Sequence, residues 1–297
     1  MSTILKTSGL TKRYGYLTAV NELNLSIEEG QVFGLLGPNG SGKTTTLGMI
    51  LGVTSITSGN YEWFDGEKGH VTRQKIGAIL EQPIFYPGYT AVENMKIVAA
   101  IKQIDLGNME NVLRMVNLWE RRNDKFSGYS LGMKQRLAIA SAMLCDPEAL
   151  ILDEPTNGLD PEGIAQIREI IVNIAKTGKS IILASHLLDE VQKVCSHYCI
   201  LRKGNLIHTG KVSPDMGAEK RVAVDALDRD KLKQVLKAWD KAVNFEQEND
   251  FFIATLKSQT EIAELSQYLQ GSGIVITHLE VLKKSLEDQF LEIVKNS

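Results

Sequence analysis

The sequence predicts an α/β fold built on a parallel sheet, followed by a smaller α+β domain of ferredoxin-like order. Three observations predict it. Apolar runs at Gln31 to Leu36, Ala149 to Leu152 and Ser180 to Ala184 read as strands buried on both faces, the mark of a parallel sheet. A helical stretch from Pro161 to Lys176 lies between the last two, giving the strand-helix-strand alternation of an α/β core. Beyond about Gly217 the order changes to β-α-β-β-α-β.

The elements follow in chain order. Ile4-Leu5-Lys6-Thr7 and Leu23-Asn24-Leu25-Ser26-Ile27 are strand-like, with a turn at Tyr14-Gly15 between them. Thr45 to Ile50 opens a helix, and Ser58 to Phe64 reads as a further strand. Ile76 to Leu80 is a short apolar run of the kind found in buried strands. From Thr90 to about Cys145 the apolar residues recur at helix spacing, as Val92, Met95, Ile97, Val98 and Ile101, then Val112, Leu113, Met115, Val116 and Leu118. In the last part, Arg221 to Val224, Ala242 to Glu246, Phe251 to Leu256 and Ile274 to Leu279 read as strands. Asp228 to Trp239, Glu261 to Leu269 and Leu286 to Val294 read as helices. An irregular α+β tail packed on the main domain is the other reading of this region. It carries no low-complexity linker, so it is expected to be docked rather than tethered.

Composition excludes several classes. A length of 297 residues suits one large domain or two smaller ones, and a net charge of −3 gives no bulk attraction to nucleic acid, so no nucleic-acid partner is expected. Lys12-Arg13 and Lys283-Lys284 are short basic pairs of the kind found on solvated surfaces. Three cysteines, Cys145, Cys195 and Cys199, are too few for a disulfide framework. Cys195 and Cys199 have helical i, i+4 spacing and read as small core residues rather than a metal pair. Met1 to Lys6 lacks a signal-peptide core, and no apolar run approaches the roughly 20 residues that span a bilayer. A soluble, cytoplasmic chain is expected, with any membrane part on another polypeptide.

One stretch carries chemistry on its face. Gly37-Pro38-Asn39-Gly40-Ser41-Gly42-Lys43-Thr44 fits the phosphate-binding pattern G-x-x-x-x-G-K-[ST] at every fixed position, with Thr45 following. Glycines let the backbone turn its N–H groups inward as an anion nest. Lys43 brings positive charge to the β- and γ-phosphates of a nucleoside triphosphate, and Thr44 offers a hydroxyl to Mg²⁺. The loop lies between a strand end and a helix start, where the helix dipole favours phosphate. Downstream, Leu150-Ile151-Leu152-Asp153-Glu154 is an apolar strand ending in two carboxylates. Asp153 is placed to hold Mg²⁺, and Glu154 to accept a proton from an attacking water. Standing alone, that strand would read as one ending in an acidic turn.

The class is resolved by a segment just before that strand. Tyr129-Ser130-Leu131-Gly132-Met133-Lys134-Gln135-Arg136 resembles the signature motif of ATP-binding-cassette (ABC) ATPases, usually Leu-Ser-Gly-Gly-Gln. Ser130 and Gly132 match. Leu131 stands where the family has glycine, and Met133 where it has glutamine. Alone, Ser130 reads as an ordinary helix N-cap, although a serine hydroxyl and open N–H groups at a helix start also suit a γ-phosphate. Other segments fall in the family's order. Gln82 resembles the conserved glutamine that reaches Mg²⁺ and the attacking water. Asn157-Gly158-Leu159-Asp160 resembles the loop that crosses a dimer interface, with Asp160 near the nucleotide. His186 resembles the switch histidine at the γ-phosphate, although taken singly it is as readily a surface or core histidine. Tyr14 resembles the aromatic that stacks on adenine, its other reading being a turn residue.

The resemblance covers residues 1 to about 215. It implies a P-loop NTPase domain over 1–215, with a RecA-like catalytic lobe and a helical lobe at about 84–145, leaving 216–297 as the accessory ferredoxin-like domain. It implies ATP and Mg²⁺ as cofactors, ATP hydrolysis, and a head-to-tail dimer with a second copy or a paralogue. Each ATP would lie between the phosphate loop of one subunit and Ser130 and Gly132 of the other. The Ser-Leu-Gly-Met form and the ending Ser285-Leu286-Glu287-Asp288-Gln289-Phe290-Leu291 resemble ATPase subunits of ABC-2-type exporters, including bacitracin- and multidrug-resistance systems. Integral membrane permease subunits and a place on the cytoplasmic face of the membrane are implied with them. A soluble ABC ATPase in translation or DNA repair is the alternative. It is disfavoured because the chain has one set of motifs and no long coiled coil. A GTPase or small-molecule kinase is disfavoured by the lack of an Asn-Lys-x-Asp motif.

Overall fold

The apolar runs assemble into one sheet because each is buried on both faces, in a computed structural model that describes residues 2–66, 72, 74–80, 84–212, 220–248, 251–257 and 260–282. In chain order the first strands are β1 (Thr3–Tyr14), β2 (Leu17–Glu28), β3 (Val32–Leu36), β4 (Ser58–Trp63) and β5 (Ile76–Ile79), with helix α1 (Lys43–Ile50) after β3. Helices α2 (Ala91–Lys102), α3 (Met109–Met115) and α4 (Leu131–Met143) follow. The remainder of the first unit is β6 (Ala149–Asp153), α5 (Pro161–Lys176), β7 (Ser180–Ser185), α6 (Leu188–Val194), β8 (His197–Arg202) and β9 (Asn205–Lys211).

The central sheet runs β5-β6-β7-β3-β8-β9, parallel except for the antiparallel β8–β9 pair. Strands β3, β6 and β7 are buried at every residue. β5 differs from its expectation. It lies at the sheet edge, and its burial alternates because successive side chains point to opposite faces, one less covered than the other. β1, β2 and β4 form a separate antiparallel sheet in the order β2-β1-β4. Leu5, Leu10, Leu23 and Ile27 from it share a core with Leu35, Leu47, Met49 and Ile151. The helical stretch after Thr90 opens with a capping box. Glu93 N–H donates to Thr90 Oγ1 (3.2 Å) and Thr90 N–H donates to Glu93 Oε2 (2.7 Å). α4 is held against β5 closely enough that a methyl on Gly77 would lie 2.4 Å from the Ala142 carbonyl oxygen.

The chain divides into two compact units, Met1–Val212 and Ser213–Ser297. The second contains β10 (Lys220–Ala226), α7 (Arg229–Ala238), β11 (Ala242–Glu248), β12 (Phe251–Leu256), α8 (Ile262–Gly271) and β13 (Ile276–Leu282). Its strands form one antiparallel sheet, β11-β12-β10-β13, the ferredoxin-like order. Val222, Val224, Phe252 and Leu256 of the sheet pack with Leu232, Leu236, Leu265 and Leu269 of the helices. The last strand begins later than the apolar run suggests. Gly273, at φ 70°, turns the chain, and Ile274 is buried before the ladder starts. The final helix expected at Leu286 to Val294, the Lys283-Lys284 pair and the Ser285-to-Leu291 ending lie outside the described residues.

One sequence reading is corrected. Cys195 and Cys199 do not share a helix. Cys195 caps the end of α6, and Cys199 lies in β8, paired with Leu35 of β3. Both are buried core residues, and burial pushes both thiols well above the usual range because a thiolate would lose its water there. Cys145 is half-buried, with Lys102 Nζ 3.8 Å from its sulfur. Titration of the native protein with a chromogenic disulfide is therefore expected to find one fast thiol, Cys145. The other two of the three should appear only on denaturation. Fast reaction of all three would contradict the burial.

Candidate functional site

Parallel strands bring their C-terminal ends to one edge, and β6, β7 and β3 are consecutive neighbours. Leu36 lies opposite Ser185, and Asp153 opposite Ala184. Residues that follow these strands, Gly37, Glu154 and His186, therefore emerge side by side although they are far apart in sequence. Glu154 extends the ladder by donating its N–H to the Ala184 carbonyl (3.0 Å). It does so at φ 47°, a left-handed backbone that costs a non-glycine residue about 1–3 kcal/mol. Ser185 Oγ accepts from Leu187 N–H (3.0 Å), which fixes the turn that presents His186.

The phosphate-pattern loop is seated on backbone. A methyl on Gly37 would lie 2.4 Å from the Leu201 carbonyl oxygen, and one on Gly42, at φ 107°, would lie 2.6 Å from that of Ala19. Gly204 N–H donates to the Ser41 carbonyl (3.0 Å). α1 begins at Gly42 with no side-chain cap, which leaves its first N–H groups open to a ligand. Ser41 Oγ is buried and makes no hydrogen bond, while Pro38, Asn39 and Gly40 are exposed. Thr44 is exposed at the first turn of α1, with Thr45 half-buried behind it.

Lys43 joins the loop to the strand ends. Only 6% exposed, its ammonium donates to the Gly37 carbonyl (2.7 Å) and the Pro38 carbonyl (3.3 Å) and lies 3.2 Å from Glu154 Oε1. The other Glu154 oxygen, Oε2, is 2.8 Å from His186 Nδ1. One carboxylate thus bridges a lysine and a histidine, with Asp153 buried beside it at the end of β6. The uncapped helix start, the unbonded Ser41 hydroxyl and the cationic Lys43 are donors fit for phosphate oxygens. Among the described residues no group of three or more His, Cys, Asp or Glu could hold a metal by itself. The Thr44 hydroxyl and the Asp153 carboxylate are hard oxygen donors of the kind Mg²⁺ takes when phosphates complete its shell.

Other expected residues stand apart from this cluster. Ser130 is the N-cap of α4, and its Oγ accepts from Met133 N–H (3.2 Å). Tyr129, just before it, donates its hydroxyl to the Arg121 carbonyl (2.7 Å), and Arg136 donates to the carbonyls of Val116 (3.0 Å) and Asn117 (3.1 Å). Burial pushes the Tyr129 phenol up and the Arg136 guanidinium down from their ordinary values. Asp160 caps α5 by accepting from Gly163 N–H (2.9 Å). Tyr14 ends β1 half-exposed, with the Lys12 ammonium 4.8 Å from its ring centre. No hydrogen bond or ion pair joins Tyr14 or Ser130 to Lys43 or Glu154 among the described residues. Gln82 lies outside the described residues. Sequence reasoning missed the seat of the loop, Leu201 and Gly204. Lys203-Gly204 does mark a hairpin turn, but nothing local says what rests on it.

Comparison with known proteins gives the same class. A family described as ABC transporter matches residues 20–157. The bacitracin transport ATP-binding protein BcrA of Bacillus licheniformis is 37% identical over 99% of this chain and 98% of its own length. BcrA of Enterococcus faecalis is 34% identical over 99% of this chain and 97% of its own length. Among solved structures, a dimeric ATP-binding cassette in a post-hydrolysis state, bound to ADP and Pi, aligns with a TM-score of 0.62 at 26% identity, covering 71% of this chain and 99% of that one.

Proposed function

We propose, from the premise that the chain belongs to the ABC transporter family as one of its ATP-binding subunits, that it hydrolyses ATP to drive an exporter. The observation that carries the proposal is the meeting of Lys43, Glu154 and His186 at the ends of β3, β6 and β7. In this reading the loop from Gly37 to Thr45 binds the phosphates, and Lys43 leaves Glu154 for them. Thr44, Asp153 and Gln82 would hold Mg²⁺, which would supply charge neutralisation to the phosphates. Glu154, released from Lys43, accepts a proton from water. His186 orients that carboxylate and touches the γ-phosphate. Tyr14 stacks on adenine.

Ser130 and Gly132 act on the nucleotide of a second subunit, a copy or a paralogue, with Asp160 at the interface. Closure of that dimer moves separate membrane permease subunits. Among the described residues no helix is long and apolar enough to cross a membrane. A peripheral place on the cytoplasmic face goes with the exporter reading. The BcrA relatives, named for bacitracin transport, support bacitracin or a similar compound as the cargo. The first unit, with its helical lobe at about 84–145, performs the chemistry, and the second is its accessory domain.

The test is complementation. A Ser130→Arg variant and a Lys43→Met variant are each expected to be inactive as ATPases. Mixed, they should regain activity, because one composite site then keeps both Lys43 and Ser130. A mixture no more active than its parts would overturn the shared site.

A further inference from the structure

Only half of the Lys12-Arg13 pair is the solvated surface that its sequence suggests. Arg13 is exposed, but Lys12 is only 9% exposed. The Lys12 ammonium donates to the Ser55 carbonyl (2.7 Å) and to Ser55 Oγ (3.2 Å), both of them uncharged. It also lies over the ring of the half-exposed Tyr14, 4.8 Å from the ring centre. An ammonium has three donors and is costly to bury, so neutral acceptors and an aromatic face together must hold it. Ser55 is itself firmly placed. Just before it, Val53 and Thr54 N–H both donate to the Gly48 carbonyl (2.9 Å each), and Gly52 N–H donates to that of Met49 (2.9 Å). Just after it, Thr57 N–H donates to the Thr11 carbonyl (2.9 Å), and Arg13 N–H donates to Thr57 Oγ1 (3.0 Å). Lys12 thus ties the end of β1, which carries Tyr14, to the end of α1, whose first residues are Lys43 and Thr44.

We infer that Lys12 is a positioning residue for the base of the nucleotide. The inference rests on the reading of Tyr14 as the platform for adenine. Phosphates and base are gripped by separate elements, the start of α1 for one and the end of β1 for the other. A ligand held at both ends gains affinity only when the two grips stand at a set separation. Lys12 sets it, by anchoring on Ser55 and holding the Tyr14 ring with its charge. The charge matters as well as the tether. A cation against one face draws π density from the ring, which lessens repulsion with a purine stacked on the other face. The base takes no part in the chemistry, so its contacts are the same in the ground state and the transition state. Lys12 therefore acts on KM and not on kcat.

The test uses the full chain and reads ATPase rate against ATP concentration. Lys12→Met keeps the buried stem and removes the charge. It is expected to raise KM for ATP roughly 3- to 30-fold, the worth of a partly desolvated cation–π contact. Its kcat should move less than about twofold. Lys12→Gln, which keeps a donor for the Ser55 carbonyl, should do the same and covers the case in which methionine disturbs folding. Binding of Mg²⁺-tripolyphosphate, measured by calorimetry, should be unchanged in both variants, because that ligand has no base. In a Tyr14→Ala background Lys12→Met should add nothing, whereas in Tyr14→Phe, which keeps the ring, it should raise KM as before. An unchanged KM for ATP in the Lys12 variants overturns the inference. Equal losses of ATP and tripolyphosphate also overturn it, since Lys12 would then support the phosphate loop and not the base. A loss that persists in Tyr14→Ala does the same. If Tyr14→Ala alone leaves KM for ATP unchanged, the parent reading of Tyr14 falls, and this inference with it. A raised KM in Tyr14→Ala beside an unchanged one in the Lys12 variants overturns this inference alone.

Discussion

Glu154→Gln is expected to lower ATP turnover by roughly 100- to 10,000-fold, the range for loss of a general base, while leaving ATP binding intact. The substitution keeps shape and keeps a polar atom facing His186 Nδ1, 2.8 Å away. What it removes is the charge that takes a proton from water. It also removes the charge that holds Lys43 at 3.2 Å. For Lys43 to reach phosphate that pair must open, and in the glutamine variant it no longer has to. ATP affinity should therefore be unchanged or tighter. The ATP-bound dimer should persist because nothing converts it to ADP. Turnover assays, equilibrium ATP binding and light scattering with and without ATP check the three parts. Wild-type-like turnover would remove Glu154 from the role of base. Weakened binding would show that the Lys43–Glu154 pair aids nucleotide capture rather than competing with it.

The strands and exits of this site were legible because its residues sit in short, fixed-spacing strings. Gly37 to Thr44 and Leu150 to Glu154 each combine an apolar strand with the polar residues that follow it, and both the strand and its exit appear as expected. That Lys43, Glu154 and His186 would meet was implied by family order, but sheet neighbourhood makes it physical. β6, β7 and β3 are adjacent, and no local pattern encodes which strand lies beside which. The same limit explains the misread cysteines. A spacing of four suggests a helix, yet Ser196 and His197 between them leave α6 and begin β8. It also explains β5, whose apolar composition suits a buried strand while the sheet order leaves it at an edge. The ferredoxin-like unit was readable because its strands and helices alternate cleanly and its helix ends carry their own caps. Asp228 accepts from Lys231 N–H, and Glu261 forms a capping box with Glu264.

Lys43→Met should abolish turnover and also change the nucleotide-free protein. Methionine fills similar volume at a position only 6% exposed, so packing is largely kept. Lost are the donations to the Gly37 and Pro38 carbonyls and the ion pair to Glu154. Hydrogen bonds to charged groups are each worth about 1.5–3 kcal/mol, so losing the ammonium at the phosphates should weaken ATP binding by roughly 10- to 100-fold. Without nucleotide, the Gly37 carbonyl and Glu154 lose their cation, an unsatisfied-acceptor cost of about 1–3 kcal/mol. Combining the change with Glu154→Gln separates the two effects. Glutamine carries no charge to leave unpaired, so the double variant should be more stable than the sum of the single losses predicts, by a coupling of about 0.5–3 kcal/mol. Urea unfolding of the four proteins without nucleotide measures that term. Additive losses would mean that the Lys43–Glu154 approach contributes no stability. The carboxylate would then be held in place by His186 and the turn at Ala184, and Lys43 would move to phosphate at no cost.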